Sequence, residues 1–197
     1  VSNAQFALFD PDHDSRVESK NAYQFGIHGY PMNRPEQPVV RVTYSHAVEF
    51  CRWLSEESGM TVSLPSEAQW EYACRGMKDA GRGEHTPWAC GRNAGELGKF
   101  AWFEANSEMR VIPVGRLAKN GFGLHDMHGN VWEWCHDWYK GSYYSSSPGS
   151  DPRGPVSGST RVFRGGSSFY LADSCRVAGR DSRPPGASGE HVGFRTA

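Results

Sequence analysis

Glycine and proline interrupt this chain throughout. Twenty-three glycines and twelve prolines fall among 197 residues, about 18% against a usual background of roughly 12%. Proline removes an amide donor and fixes φ, and glycine adds backbone entropy that regular structure must overcome. A helical bundle or a coiled coil is therefore excluded. The chain must turn often and join short elements by loops. What offsets the entropy of ordering those loops is aromatic: Phe, Trp and Tyr make up 13% of the residues, with seven Trp. That much apolar area argues against disorder. The length predicts one domain over residues 1–197, able to bury roughly 70% of its unfolded surface without a disulfide scaffold.

Twenty-one basic and 22 acidic residues leave a formal charge of −1, so no net basic field for nucleic acid exists. No apolar run approaches the ~20 residues of a membrane span. The five cysteines, Cys51, Cys74, Cys90, Cys135 and Cys175, are an odd number and contain no C-x-x-C, which argues against a paired secreted framework or a zinc ribbon. Cys51 and Cys74 fall on apolar helical faces and read as buried free thiols. The chain begins at Val1 with no basic and apolar leader pattern, and the expectation is that further residues precede it.

Helix signals are strongest early. Ser2 can cap a short helix. Ser45 can cap a longer one whose Ala47, Val48, Phe50, Cys51 and Leu54 form one apolar stripe, with Gly59 as its stop. Ser66 followed by Gln69 is a capping box for a second helix that buries Trp70, Ala73 and Cys74 and ends at Gly76. Residues 10–42 read as irregular apart from a short β-rich stretch, Val39–Val42. Residues 77–120 carry no period, and Asn120-Gly121 is a tight-turn signal. Gly129–Cys135 and Thr160–Ser167 read as strands bounded by turns. Alternation puts Trp132 and Trp134 on one core-facing side, with Trp138 more exposed. Helices followed by short strands and long loops predict an α+β fold.

Four segments stand together: Leu64-Pro-Ser-Glu-Ala-Gln-Trp-Glu-Tyr-Ala-Cys-Arg75, Gly121-Phe-Gly-Leu-His-Asp-Met-His-Gly-Asn-Val-Trp-Glu-Trp134, Arg161-Val-Phe-Arg-Gly-Gly-Ser167 and Val192-Gly-Phe-Arg195. In this order and spacing the chain closely resembles the formylglycine-generating enzyme family, also called sulfatase-modifying-factor domains. The resemblance covers nearly the whole chain. It implies a variant of the C-type lectin fold: two helices, short antiparallel strands and long loops.

Catalytic members of that family oxidise a sulfatase cysteine to formylglycine, using a nearby cysteine pair that binds copper as thiolates. Soft sulfur ligands suit Cu(I). Counted from Gly165-Gly-Ser, the family's two cysteines fall on Tyr170 and Cys175; counted from Arg176-Val-Ala-Gly-Arg180, neither is matched. A pair is missing either way, so copper is not expected and no catalytic residue is assigned. Cys175 has a simpler reading as a core cysteine near Cys74. The resemblance also implies a Ca²⁺ site made by Asp126, the carbonyls of Gly129 and Val131, and Glu133. Hard oxygen donors around a tight glycine turn suit that ion, although Asp126 capping a turn and Glu133 in a salt bridge is the plainer alternative. A second calcium site of the family is damaged where Phe100 precedes Ala101-Trp102.

His125, His128 and His136 lack the helical i, i+4 spacing of a zincin and read as surface or hydrogen-bonded residues. The three-histidine iron sites of related sulfoxide synthases draw mainly on another domain. The segment 168–191 contributes a ligand-facing surface in the lectin-type fold. Related domains serve as variable proteins of diversity-generating retroelements, in which this segment is mutated on a fixed scaffold. Phe169, Tyr170, Asp173, Ser174, Asp181, Ser182 and Arg183 combine rigid aromatics with small polar residues, as binding loops do; an ordinary solvated loop is the alternative. The expectation is a non-catalytic module that recognises a protein or small-molecule ligand. The alternatives are a formylglycine-generating oxidase, an enzyme of altered chemistry using Cys175 or the histidines, and a structural part of a larger protein.

Overall fold

The computed structural model describes residues 1–16, 30–76 and 86–197, so parts of the expected irregular stretches 10–42 and 77–120 lie outside the described residues. In chain order the described elements are α1 (Asn3–Phe6), α2 (Tyr44–Ser58), α3 (Glu67–Arg75), α4 (Ala94–Leu97), β1 (Ala101–Trp102), α5 (Glu104–Ser107), β2 (His128–Gly129), β3 (Trp132–Trp138), β4 (Arg161–Arg164), β5 (Arg180–Arg183) and β6 (Val192–Phe194). Single 3₁₀ turns stand at Tyr143–Ser146 and Ala172–Cys175.

The caps explain the helix limits. Ser2 and Gln5 form a capping box at α1, as Ser66 and Gln69 do at α3. Each satisfies two amides that the helix leaves without a carbonyl. Helix α2 begins two residues earlier than the apolar stripe predicts: Thr43, not Ser45, is its cap, and Thr43 Oγ1 accepts from His46 N. The earlier start carries Tyr44 into the first turn, where its ring meets Trp134 edge-on. Gly59 and Gly76 end α2 and α3 in the left-handed conformation, with φ of 69° and 59°.

The expected stretch Val39–Val42 is buried but is not a strand. Its amides find scattered partners: Val39 N donates to Val1 O, Val40 N to Ser15 Oγ and Arg41 N to Gly189 O. The backbone is satisfied without a ladder. At Asn120-Gly121 the turn is built differently from a two-residue hairpin. Asn120 Oδ1 accepts from Phe122 N and Leu124 N, and positive φ falls on Gly123, at 82°. The side chain supplies an Asx-type turn.

The main sheet runs β5-β4-β3-β6. Strands β5, β4 and β3 are antiparallel, while β6 lies parallel to β3 with Trp132 opposite Val192 and Trp134 opposite Phe194. The sheet is therefore mixed rather than wholly antiparallel. A parallel partner needs a long connection, and residues 139–191, which carry β4 and β5, provide it. A second, two-residue parallel pair joins β1 to β2.

Strand β3 is buried on both faces. Trp132 and Trp134 face α2 and pack with Phe50, Phe163, Val192 and Phe194. Cys135 faces the other way and packs with Trp70, Cys74 and Val162 beneath α3. Helix α3 is tied to the sheet by charge as well. The fully buried Arg164 donates to Glu67, Glu71 and the Val177 carbonyl, and Arg180 grips Glu67 at 2.8 and 2.6 Å. Buried charges of this kind persist only when paired and hydrogen-bonded.

Candidate functional site

The turn entering β3 brings together all four residues expected around calcium. Asp126, Gly129, Val131 and Glu133 line one cavity of about 360 Å³, together with Gly115, Asn130 and Arg195. Gly129 takes φ of 74°, and a Cβ there would lie 2.0 Å from the Trp102 carbonyl oxygen. Only glycine permits that approach. Asn130 (φ 60°) and Asp126 (φ 55°) are also left-handed, a conformation in which Asn and Asp are the residues best tolerated after glycine.

The carboxylates differ. Asp126 Oδ2 accepts from Gly115 N at 2.7 Å, while its buried Oδ1 has no hydrogen-bond partner among the described residues. Burial raises the Asp126 pKa above the usual carboxylate value, against the pull of the Gly115 amide and Arg195. Glu133 is more fully engaged: Oε2 accepts from Trp70 Nε1 at 2.7 Å and from Arg195 Nε at 2.6 Å, and Oε1 from Arg195 Nη2 at 2.8 Å. Arg195 Nη2 also reaches the His125 carbonyl at 3.1 Å. The sequence presents Arg195 only as the end of a motif. Its role as counter-ion to Glu133 shows in the fold alone, because 62 residues separate the partners.

Of the three histidines singled out in the sequence, two are hydrogen-bonded to carbonyls and the third is exposed. His128 is buried, its Nδ1 donating to the Cys175 carbonyl at 2.8 Å and its Nε2 accepting from Ala89 N at 3.1 Å. Burial lowers its pKa to about 4. His125 Nδ1 bonds the Leu117 carbonyl. His136 is exposed, and Trp138 lies half-buried under the guanidinium of Arg161, 3.5 Å from the ring centroid.

The seven residues expected to contact ligand divide into three places. Phe169 and Tyr170 are half-buried, and both rings pack about the buried His191 at 6.0 and 5.7 Å. Tyr170 also meets Trp132 edge-on. Asp181, Ser182 and Arg183 lie on β5 at the end of the sheet order, where Ser182 Oγ accepts from Thr160 Oγ1. The charge of Arg183 helps lower the His191 pKa to about 4, burial being the larger cause. Tyr170, His191 and Arg183 are thus neighbours. Asp173 and Ser174 belong to the 3₁₀ turn Ala172–Cys175, with Asp173 exposed and Ser174 half-buried. Sequence reasoning missed His191, on which the aromatic pair converges; its place just before the Val-Gly-Phe-Arg motif is the available signal.

Cys175 is fully buried and packs with Trp88, Leu97 and Ala101. Its thiol pKa is pushed up to about 12 by burial. Burial of this kind disfavours the free thiolate, the nucleophilic form. At the position offered for the other cysteine stands Tyr170.

Comparison with known proteins agrees with this geometry. The family model described as sulfatase-modifying factor enzyme 1-like domain matches residues 1–197. The formylglycine-generating enzyme of Streptomyces coelicolor is 40% identical over 174 residues, covering 83% of this chain and 53% of that protein. The Bos taurus formylglycine-generating enzyme is 33% identical, over 84% of this chain and 45% of its own. The chain thus spans about half the length of these relatives. Among solved structures, Treponema denticola variable protein 1 superposes with a TM-score of 0.80 at 26% identity, covering 100% of this chain and 81% of the other. The architecture, the cavity at the β3 turn and the matched motifs converge, and the chain belongs to the formylglycine-generating enzyme, or sulfatase-modifying factor, family.

Proposed function

We propose that this chain is a non-catalytic recognition module that binds a protein or small-molecule ligand through its 168–191 surface. The observation that carries this is the fate of the two cysteine positions. Cys175 is sealed in the core, and the other place is held by Tyr170, whose ring packs on Trp132 and His191. A single buried thiol does not make a two-thiolate copper site. The surrounding residues combine aromatic anchors with short polar side chains on a rigid sheet, a composition suited to binding. The likeness over the full chain to a protein titled variable protein 1 supports a scaffold of the retroelement-diversified kind.

Calcium would brace that scaffold. The donor set at the β3 turn fits a hard cation. Asp126 Oδ1 is buried and unpartnered among the described residues, and Glu133 retains one lone-pair direction after three hydrogen bonds. Asp126, Glu133 and the carbonyls of Gly129 and Val131 would hold the ion beside the sheet. Its contribution is fixing the turn that leads into β3.

A second reading rests on the 40% identity to a named formylglycine-generating enzyme: an oxidase acting on a sulfatase cysteine. Competition against a Cu(I) chelator of known affinity separates the two. Recognition predicts no stoichiometric high-affinity Cu(I) uptake and no change on Cys175→Ser; one tight equivalent lost in that variant would favour the oxidase.

A further inference from the structure

We propose that Asp10, His13 and His46 form a transition-metal site of the zinc class, separate from the β3 turn, that clips the N-terminal segment to α2. One ligand atom from each of these residues lies within 4.8 Å of the others, and all three side chains are half-buried. A tetrahedral ion with bonds of 2.0–2.1 Å sets its ligands about 3.3 Å apart. Closure therefore asks for movements of about an ångström in side chains that already converge.

The tautomer is prepared for it. His13 Nε2 donates to the Val40 carbonyl at 2.8 Å, which leaves the lone pair on Nδ1. A ring nitrogen fixed on a backbone carbonyl is the usual support of a metal-binding imidazole. The rings are also placed: the buried Phe6 meets His13 edge-on at 4.9 Å and His46 at 6.2 Å, and the two imidazoles lie 6.1 Å apart. His46 is anchored by its amide, which donates to Thr43 at the cap of α2. Asp10 follows α1, its amide bonded to the Phe6 carbonyl. Asp12 borders the same open cavity as Asp10 and His13, whereas Asp14 beside it is paired with Arg16 at 2.7 Å.

Two imidazoles and one carboxylate, with a position left for water, match Zn²⁺, Co²⁺ or Ni²⁺ rather than the all-oxygen preference of Ca²⁺. The site has no part in the 168–191 surface. Its work is structural: α1 and its following loop carry no long element of their own, and an ion shared with α2 would hold them there.

The test uses chelator-treated protein and ZnCl₂ alone, with metal content measured by mass spectrometry after desalting, Co²⁺ visible spectra, and thermal melts. Expected are one equivalent retained, a tetrahedral Co²⁺ spectrum, and a Tm rise with ZnCl₂ that persists in Asp126→Ala, where CaCl₂ gives none. His46→Gln and Asp10→Asn, each checked for native circular dichroism, should bind at least tenfold more weakly. Equal binding by folded His46→Gln, or no retained equivalent in the unsubstituted protein, would overturn the proposal. Asp126→Ala should leave the Zn²⁺ response intact, which keeps this site distinct from calcium at the β3 turn.

Discussion

Arg195 clasps Glu133 at two points, Nε to Oε2 at 2.6 Å and Nη2 to Oε1 at 2.8 Å, at the edge of the cavity that also holds Asp126. Trp70 Nε1 bonds the same Oε2, so one carboxylate joins the end of the chain, α3 and β3. Removing the guanidinium leaves a buried carboxylate with only its indole partner. Arg195→Met should therefore cost about 3–5 kcal/mol of stability. Urea unfolding at pH 7 measures it, and a loss below about 1 kcal/mol would show that the pair is not sustaining the turn.

Chelation should lower the melting temperature through the same turn. Two carboxylates facing one guanidinium give the site little net negative charge, so calcium affinity is expected on the order of 10⁻⁴ M or weaker. Adding millimolar CaCl₂ should raise Tm by linkage, and Asp126→Ala should abolish the rise. A melting curve indifferent to calcium in the unsubstituted protein would remove the ion from the β3 turn.

Glycine matters here for two separable reasons, and two positions distinguish them. At Gly166, φ is 74° and an added Cβ would lie 2.6 Å from Cys175 Sγ, so alanine adds overpacking to strain. At Gly59, φ is 69° but no atom lies within 4 Å, so alanine adds strain alone. Expected losses are about 2–4 kcal/mol for Gly166→Ala and about 1 kcal/mol for Gly59→Ala. Parallel denaturation curves test the order, and equal losses would contradict the packing assigned to Cys175.

Acid should loosen the fold through its buried histidines, His128 and His191. His128 holds its pKa near 4 because burial disfavours the cation, whereas an unfolded imidazole titrates near 6.5. The unfolded chain binds the extra proton, so this contribution is full above about pH 6.5 and fades as pH falls through 4. Asp137, raised to about 6 by burial, acts in the opposite direction. Its contribution is full below an unfolded value near 3.9 and is lost as pH rises through 6. Asp137→Asn should therefore steepen the acid loss and His128→Gln flatten it. Imidazole NMR titration checks the assignment directly, and a His128 resonance titrating at 6.5 would refute it.

Local chemistry explains why much of the fold was legible. The capping boxes at Ser2 and Ser66 and the stops at Gly59 and Gly76 are decided within a few residues. The inward alternation of Trp132 and Trp134 is likewise a property of one strand. The start of α2 escaped because Tyr44 is drawn inward by Trp134, a partner far along the chain. Val39–Val42 has strand composition, but its amides pair with Val1, Ser15 and Gly189 rather than with a neighbouring strand. At the candidate site, the four residues that the family resemblance implies around calcium share one turn because they lie within eight consecutive positions. Arg195 and His191 were not legible, since each acquires its role only when β6 docks beside β3.

We propose a scaffold that recognises rather than oxidises. Incubating the full protein with Cu(I), dioxygen, a thiol reductant and a cysteine-containing sulfatase-type peptide tests it most directly, with aldehyde formation read by mass spectrometry. Recovery of the unmodified cysteine at every copper level is the expected result. Catalytic conversion of that cysteine to formylglycine, lost in Cys175→Ser, would contradict it.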